Sequence, residues 1–356
     1  MAYDPFARGP HPVGVRTLYT TDPARDGRPL SIEVWYPATS AHAGQDLDDA
    51  TRDRYQQLPV FPPVPQDAVR EADALTTPTR LVLFSHGFGS HRRQSTFLCT
   101  HLASRGYAVA AVDHTGNTTL DVLQATIATR AGETPPDGET VVQTSIENRP
   151  ADIWFMLSEL ARGGLGERGP RLDLSRIGVS GHSFGGWTAL MVSGRDPRIV
   201  AALPLAPAGG TTPLGGRRLR DALDFSWSQR VPTLLLAADR DSLLPLPGME
   251  ELYRRIPPPK RMSVLRNADH MHFCDRAEMV HDMFRRMPPA KGFAAVAKQT
   301  PPFSELCSAG AAVAWVRGLG AAHFDAHLRG DEGAAAWLNG DVVGNVRRLG
   351  IDVTFA

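Results

Sequence analysis

The sequence predicts an α/β fold, a mostly parallel central sheet with helices on both faces. Three observations predict it. Short apolar runs alternate with helix-length segments from about Leu30 onward. Most of those runs are continuous rather than alternating, as strands covered on both faces are. The chain has 356 residues, 42% of them hydrophobic, which is enough apolar material for a large core.

Taken in order, Ser31 to Tyr36 alternates like a strand with two different faces. Leu81 to Phe84, Ala108 to Val112, Ile177 to Val179, Ile199 to Leu205 and Thr233 to Ala237 are the continuous runs, and Met262 to Leu265 reads as the final strand. Ser95 to Arg105, Arg149 to Ala161 and Ser183 to Ser193 carry apolar residues at helical spacing, and Ala311 to Leu328 is a longer, alanine-rich helix. Two stretches break the alternation. Thr39 to Thr79 is rich in Asp, Gln and Pro, and Arg276 to Glu305 holds Met279, Met283, Phe284 and Met287 ahead of Pro301. Loops this long in a compact domain usually serve as lids, binding segments or linkers. The second has the makings of an amphipathic cap, with its methionines expected to pack a helix rather than form a ligand surface. With no repeat or domain linker in view, a single domain over residues 1–356 is expected, carrying insertions at 39–79 and 276–305.

Lysine plus arginine and aspartate plus glutamate both number 38, so the formal net charge is zero. A nucleic-acid partner, which needs a basic field, is not expected. Cys99, Cys274 and Cys307 are odd in number and form no CxxC pair, so neither a zinc knuckle nor a disulfide framework is indicated. Met1 to Thr20 lacks the apolar core of a secretory signal, and no stretch approaches the roughly eighteen apolar residues of a spanning helix. A cytoplasmic chain, not integral to a membrane, is the expectation.

The chemistry centres on Gly181-His182-Ser183-Phe184-Gly185-Gly186, directly after Ile177 to Val179 and before a helix-like stretch starting at Trp187. A serine on a sharp strand-to-helix turn exposes its Oγ, and flanking glycines allow that turn. Such a serine is weak until a histidine takes its proton and an acid orients the histidine, in the chain order Ser, acid, His. Asp239 and Asp241 follow the run Thr233 to Ala237, and His270 lies in the turn after Met262 to Leu265 with His272 as its competitor. His270 and His272 with Asp269 and Asp275 also suggest metal ligands, but further ligands at standard spacing are missing, so no metal or organic cofactor is expected.

A developing oxyanion needs two donors. The amide after the nucleophile, Phe184, supplies one, and the loop Ser85-His86-Gly87-Phe88-Gly89 supplies the other, assigned to Phe88. His182, Trp187 and His272 are candidates to line the substrate, although Trp187 also reads as core. His114 reads as a structural histidine and Cys274 as a packed thiol.

Further segments carry a family likeness: Gly9-Pro10-His11-Pro12-Val13-Gly14, Glu33-Val34-Trp35-Tyr36-Pro37, Phe84-Ser85-His86-Gly87, Arg149-Pro150-Ala151-Asp152 and the closing stretch from Phe324 to Asp331. With the elbow, they make the chain resemble the serine α/β-hydrolases of the platelet-activating-factor acetylhydrolase and predicted dienelactone hydrolase group, over nearly its whole length. That resemblance implies an α/β-hydrolase fold and ester hydrolysis through an acyl-enzyme. In related sequences the acid sits three residues past a small residue at the strand end, here Ala238, with a proline soon after, here Pro245. The resemblance therefore implies Asp241 over Asp239.

Two departures narrow the substrate. Animal acetylhydrolases place their acid after the strand following the elbow helix, where this chain has Leu203-Pro204-Leu205-Ala206-Pro207 and no acid. An acid at Asp241 is instead similar to bacterial esterases and cutinase-like polyesterases. Dienelactone hydrolases proper use cysteine where this elbow has Ser183. The expectation is a serine carboxylic-ester hydrolase acting on short- to medium-chain or phospholipid-like small-molecule esters. A lipase or polyesterase, an amidase or peptidase on the same scaffold, and a non-catalytic binding protein are the alternatives.

Overall fold

The computed structural model describes residues 3–58, 61–212, 216–286 and 293–356. In it the chain divides into two compact units, Arg8–Arg176 and Ile177–Ala356 together with Met1–Ala7.

The Arg8–Arg176 unit opens on β1 (Val13–Asp22) and β2 (Arg28–Pro37), an antiparallel ladder in register from Val13 opposite Pro37 to Asp22 opposite Arg28. Three two-residue strands follow, β3 (Arg54–Tyr55), β4 (Val64–Pro65) and β5 (Val69–Arg70), inside the stretch read as an insertion. Next come β6 (Thr79–Ser85), α1 (Thr96–Ser104), β7 (Tyr107–Val112), α2 (Thr119–Arg130) and α3 (Gly138–Ala161). Strand order in this unit is β6-β7-β2-β1-β5, with β6 and β7 parallel and both wholly or nearly wholly buried. Continuous apolar runs are what such positions require. α3 starts well before the Arg149 expected from the sequence, because Asp137 caps it by accepting the Thr140 N–H at 2.8 Å, and the helix then runs on through Pro150.

Arg149 is fully buried and donates to the carbonyl oxygens of His86 (2.7 Å) and Gly87 (3.1 Å) and to Asn117 Oδ1. Gln94 Oε1 accepts the Gly87 N–H at 2.6 Å. The loop that carries Phe88 is thus pinned from both sides, and Phe88 itself is 42% exposed. His114 is structural, as its surroundings in the sequence suggested: Nε2 lies 2.8 Å from Ser85 Oγ and Nδ1 3.0 Å from Asp152 Oδ2. Burial and the Arg149 charge push its imidazole down to about 4, so it is neutral at physiological pH.

The other unit takes up β8 (Leu172–His182) from Ile177 and continues with α4 (Phe184–Ser193), β9 (Ile199–Leu205), α5 (Arg217–Ala222), β10 (Thr233–Ala238), α6 (Leu246–Arg255) and β11 (Lys260–Leu265). Then come α7 (Ala277–Arg286), α8 (Phe293–Gln299), α9 (Ala309–Phe324), α10 (Glu332–Asn339), α11 (Val342–Arg347) and β12 (Val353–Phe355). Strands β8, β9, β10 and β11 pair in that order and in parallel, and β12 closes this edge antiparallel to β11. The expected helix from Ala311 is α9 followed by a wider turn at Asp325–Arg329.

Among the described residues of 276–305 are the helices α7 and α8. α7 is amphipathic: Ala277, His281 and Phe284 are buried along one side, while Met283, on the other, is 46% exposed. Met283 is therefore not a packing residue, which corrects the expectation for it, whereas Met279 is half-buried and Met287 lies outside the described residues. No helix among the described residues is long and apolar enough to cross a membrane.

Candidate active site

Ser183 stands between the end of β8 and the start of α4 with φ 59° and ψ −118°. A non-glycine residue in this region is strained by about 1–3 kcal/mol and persists only where its surroundings hold it. They do: the Ser183 N–H donates to Leu205 O (2.9 Å), and its carbonyl accepts from Trp187 (3.1 Å) and Ala208 (2.9 Å). Gly186 is obligatory because a Cβ there would lie 2.9 Å from the Pro207 backbone. The elbow read from the sequence is a strand-to-helix elbow in the fold.

The loop after β10 presents Asp241, buried, with Oδ1 accepting the N–H groups of Leu243 (2.9 Å) and Leu244 (2.7 Å). Its Oδ2 lies 2.7 Å from His270 Nδ1. Asp239 turns elsewhere, accepting the Ala268 N–H at 3.3 Å and pairing with Arg266 at 3.4 Å. Of the two aspartates, Asp241 is the one that meets the histidine.

His270 opens a single tight turn, His270–Phe273, after β11. With Nδ1 committed to Asp241, Nε2 is the nitrogen left for proton exchange. Burial pushes the His270 imidazole down, but the Asp241 carboxylate, by charge and hydrogen bond, pushes it up further, leaving it above the ordinary value of 6.5. Phe184 is the first residue of α4, so its N–H sits at the positive end of that helix, immediately after the serine.

The three residues expected to line the substrate have other work. Trp187 is wholly buried, donates from Nε1 to Leu219 O at 2.8 Å and meets the Phe184 ring edge-on, so it is core. His182, 3% exposed, packs its ring against His270 (4.5 Å) and Phe273 (5.4 Å), and burial drives it well below the usual range, so it is an uncharged brace for the His270 ring. His272 is also buried: Nδ1 is 3.2 Å from Asp269 Oδ1, Nε2 is 3.0 Å from Cys307 O, and the ring lies flat on Phe303. It is neither a competing base nor a substrate wall.

The sequence reading considered Asp269 only as a metal ligand, and it missed His281. Asp269 Oδ1 accepts the Met271 N–H (3.0 Å), Oδ2 lies 3.0 Å from His281 Nδ1, and His281 Nε2 reaches Pro301 O at 2.8 Å. The turn bearing His270 is thereby tied to α7 and to the segment before α9. Only the inward placement of His281 on α7 signals this, and the inward face of that helix appears once the fold is known. Among the described residues no group of three or more histidine, cysteine, aspartate or glutamate side chains is arranged to hold a metal ion.

A strained serine elbow, with an Asp-His pair on the loops after later parallel strands, is the arrangement that serine hydrolases of the α/β-hydrolase fold use. Residues 11–147 match the family model of platelet-activating factor acetylhydrolase, isoform II. Cutinase est1 of Thermobifida alba is 29% identical over 193 residues, 53% of this chain and 52% of that protein. A bis(hydroxyethyl) terephthalate hydrolase of Streptomyces coelicolor is 29% identical over 194 residues, 54% of this chain and 50% of that one. The chain spans about half the length of these curated relatives. Among solved structures, a ferulic acid esterase from Streptomyces cinnamoneus superposes with a TM-score of 0.64 and 28% identity, over 90% of this chain and 91% of that one. The fold is that of the α/β-hydrolases, and these esterases are proteins that the chain is similar to.

Proposed function

We propose that the chain hydrolyses carboxylic esters of small molecules through an acyl-enzyme on Ser183. The observation that carries this reading is the buried His270 Nδ1 to Asp241 Oδ2 contact of 2.7 Å, in a fold whose β8–α4 turn holds Ser183 at φ 59°. In the proposed cycle, His270 Nε2 takes the Ser183 hydroxyl proton as Oγ attacks the ester carbonyl. Asp241 holds the imidazole in the required tautomer and stabilises the imidazolium that forms. The Phe184 amide, at the helix start, stabilises the developing oxyanion. His270 then gives its proton to the departing alcohol, and water, deprotonated by the same nitrogen, releases the acid.

The relatives support the reaction class, since a cutinase, a terephthalate ester hydrolase and a ferulic acid esterase all cleave carboxylic esters. Their particular substrates are not carried over. Turnover of a p-nitrophenyl ester series from acetate to long acyl chains, with Ser183→Ala in parallel, tests the reading. Serine-dependent hydrolysis is expected, and equal rates in the variant would rule it out.

A further inference from the structure

The segment 300–307 touches both of the loops that carry the contact between Asp241 and His270. Thr300 Oγ1 donates to Val296 O at 3.0 Å, which leaves its oxygen to accept from Ser242 Oγ, 2.6 Å away and one residue past Asp241. The Pro301 carbonyl lies 2.8 Å from His281 Nε2, and His281 Nδ1 lies 3.0 Å from Oδ2 of Asp269, the residue before His270. Further along, Glu305 O accepts from the Arg240 guanidinium at 3.2 Å, and the Cys307 N–H donates to Asn267 O at 2.7 Å. The two loops also meet directly, the Arg240 N–H donating to Ala268 O at 2.9 Å. With the 2.7 Å contact of Asp241 and His270 at one end, these polar contacts form a closed circuit whose other end is α7 and the segment 300–307.

Asp269 is the member of the circuit next to the base. Its Oδ1 accepts the Met271 N–H at 3.0 Å, which fixes the single turn His270–Phe273, and its Oδ2 fixes that turn to α7. Both Asp269 and His281 are buried. Pro301 O and an ionised carboxylate can only accept, so His281 serves both only with a proton on each nitrogen. Burial lowers the His281 imidazole, and Asp269 raises it further, above its ordinary 6.5. Burial likewise raises the Asp269 carboxyl, and His272 and His281 push it down further, well below the usual carboxylate range.

We propose that Asp269 is a positioning residue for the base: through His281 and the segment 300–307 it holds the His270 imidazole on Asp241, and the stretch 276–305 acts on catalysis from that side. This inference rests on the esterase reading above and assigns what sets the place of its base. The titratable groups that act on His270 are Asp241 from the loop after β10, Asp269 in its own turn and His182 at the end of β8, the last uncharged. Burial lowers the imidazole, and Asp241 first and Asp269 second raise it. An asparagine at 269 keeps an oxygen for the Met271 N–H and turns its NH₂ to His281 Nδ1, which then needs no proton. The shape of the turn survives and the charge beside His270 is lost.

Asp269→Ala, Asp269→Asn and Thr300→Val are compared with wild type. Asp269→Ala removes the cap and the tie together, and kcat on p-nitrophenyl acetate should fall roughly 10- to 100-fold, up to the scale of a ~1 Å misplacement, with KM within about twofold. Asp269→Asn should lose about tenfold or less and move the acid limb of kcat/KM to lower pH. Thr300→Val, which cuts the circuit at its other end and keeps every charge, should lower kcat and leave that limb in place. Where Asp269→Ala does not fold, the nearly isosteric Asp269→Asn and Thr300→Val carry the test. A lowered melting temperature with kcat and the acid limb unchanged makes Asp269 structural alone and overturns the proposal. Proton NMR in the Ser183→Ala background keeps the two readings apart, because the downfield proton between His270 Nδ1 and Asp241 reports their contact without turnover. Loss or broadening of that signal in Ser183→Ala/Asp269→Ala supports the proposal even if no ester is hydrolysed. A signal left as sharp as before overturns it even if Ser183 proves to be the nucleophile.

Discussion

Replacing Asp241 with Asn changes one atom, and the structure dictates which way the new amide must face. Asp241 Oδ1 accepts two backbone N–H groups, those of Leu243 and Leu244, while Oδ2 meets His270 Nδ1 at 2.7 Å. An asparagine has only one acceptor oxygen, and the two buried amide donors claim it, since leaving both unpaired costs about 1–3 kcal/mol each. The NH₂ group then faces His270 and donates to Nδ1. That fixes the proton on Nε2, the nitrogen that must accept the Ser183 proton. The histidine stays in place in the wrong tautomer.

A misoriented tautomer in a triad of this kind lowers kcat by about 10⁴, or roughly 5 kcal/mol in the barrier. Steady-state hydrolysis of p-nitrophenyl acetate by purified Asp241→Asn gives the number directly. The melting temperature should move little, because the two loop hydrogen bonds survive. A kcat within tenfold of wild type in a folded variant would refute both the role of Asp241 and the tautomer argument. A similar loss on replacing Asp239 would point to the wrong aspartate.

Other consequences are open to measurement. Because Asp241 holds the His270 imidazole above its ordinary 6.5, kcat/KM should rise as the pH passes that value and reach half its plateau above pH 6.5. The same linkage gives a stability contribution that is fully present below pH 6.5 and fades as pH climbs through the raised value, measurable as a falling urea midpoint. Trp187→Phe removes the donor to Leu219 O and should lower stability by about 1–3 kcal/mol while leaving KM within about twofold, as befits a core residue. Arg149→Met leaves the carbonyls of His86 and Gly87 without their buried donor, and a loss of about 3 kcal/mol or more in urea unfolding is expected.

The placement of the candidate constellation was legible because each part carries a local signature. Ser183 lies between an apolar run and glycines that the tight approach of Pro207 to Gly186 requires. Asp241 and His270 each follow a strand that the sequence marks, the apolar run Thr233 to Ala237 in one case and Met262 to Leu265 in the other. What escaped the sequence depends on partners far along the chain. β1 was not foreseen because Val13–Asp22 has only a few buried apolar positions among polar ones and gains its order from the ladder with β2. The beginning of α3 was hidden because Pro150 suggested a helix start, whereas the Asp137 cap sets it earlier. His272 and Trp187 were misassigned because proximity in sequence to the base and to the elbow does not reveal which way a side chain turns. Their partners, Cys307 and Leu219, come from other elements. Met283 of α7, which is exposed, was read as packing because helical spacing alone does not say which face is covered.

The central claim is that Ser183 is an activated nucleophile, and active-site labelling tests it most directly. Wild-type protein, Ser183→Ala and His270→Ala are treated with a fluorophosphonate probe, and the adduct is located by peptide mass spectrometry. The account predicts one adduct on wild type, mapped to Ser183, none on Ser183→Ala, and labelling of His270→Ala slowed by about 10² or more. Labelling that persists in Ser183→Ala, or a folded wild type that stays unlabelled, would contradict it.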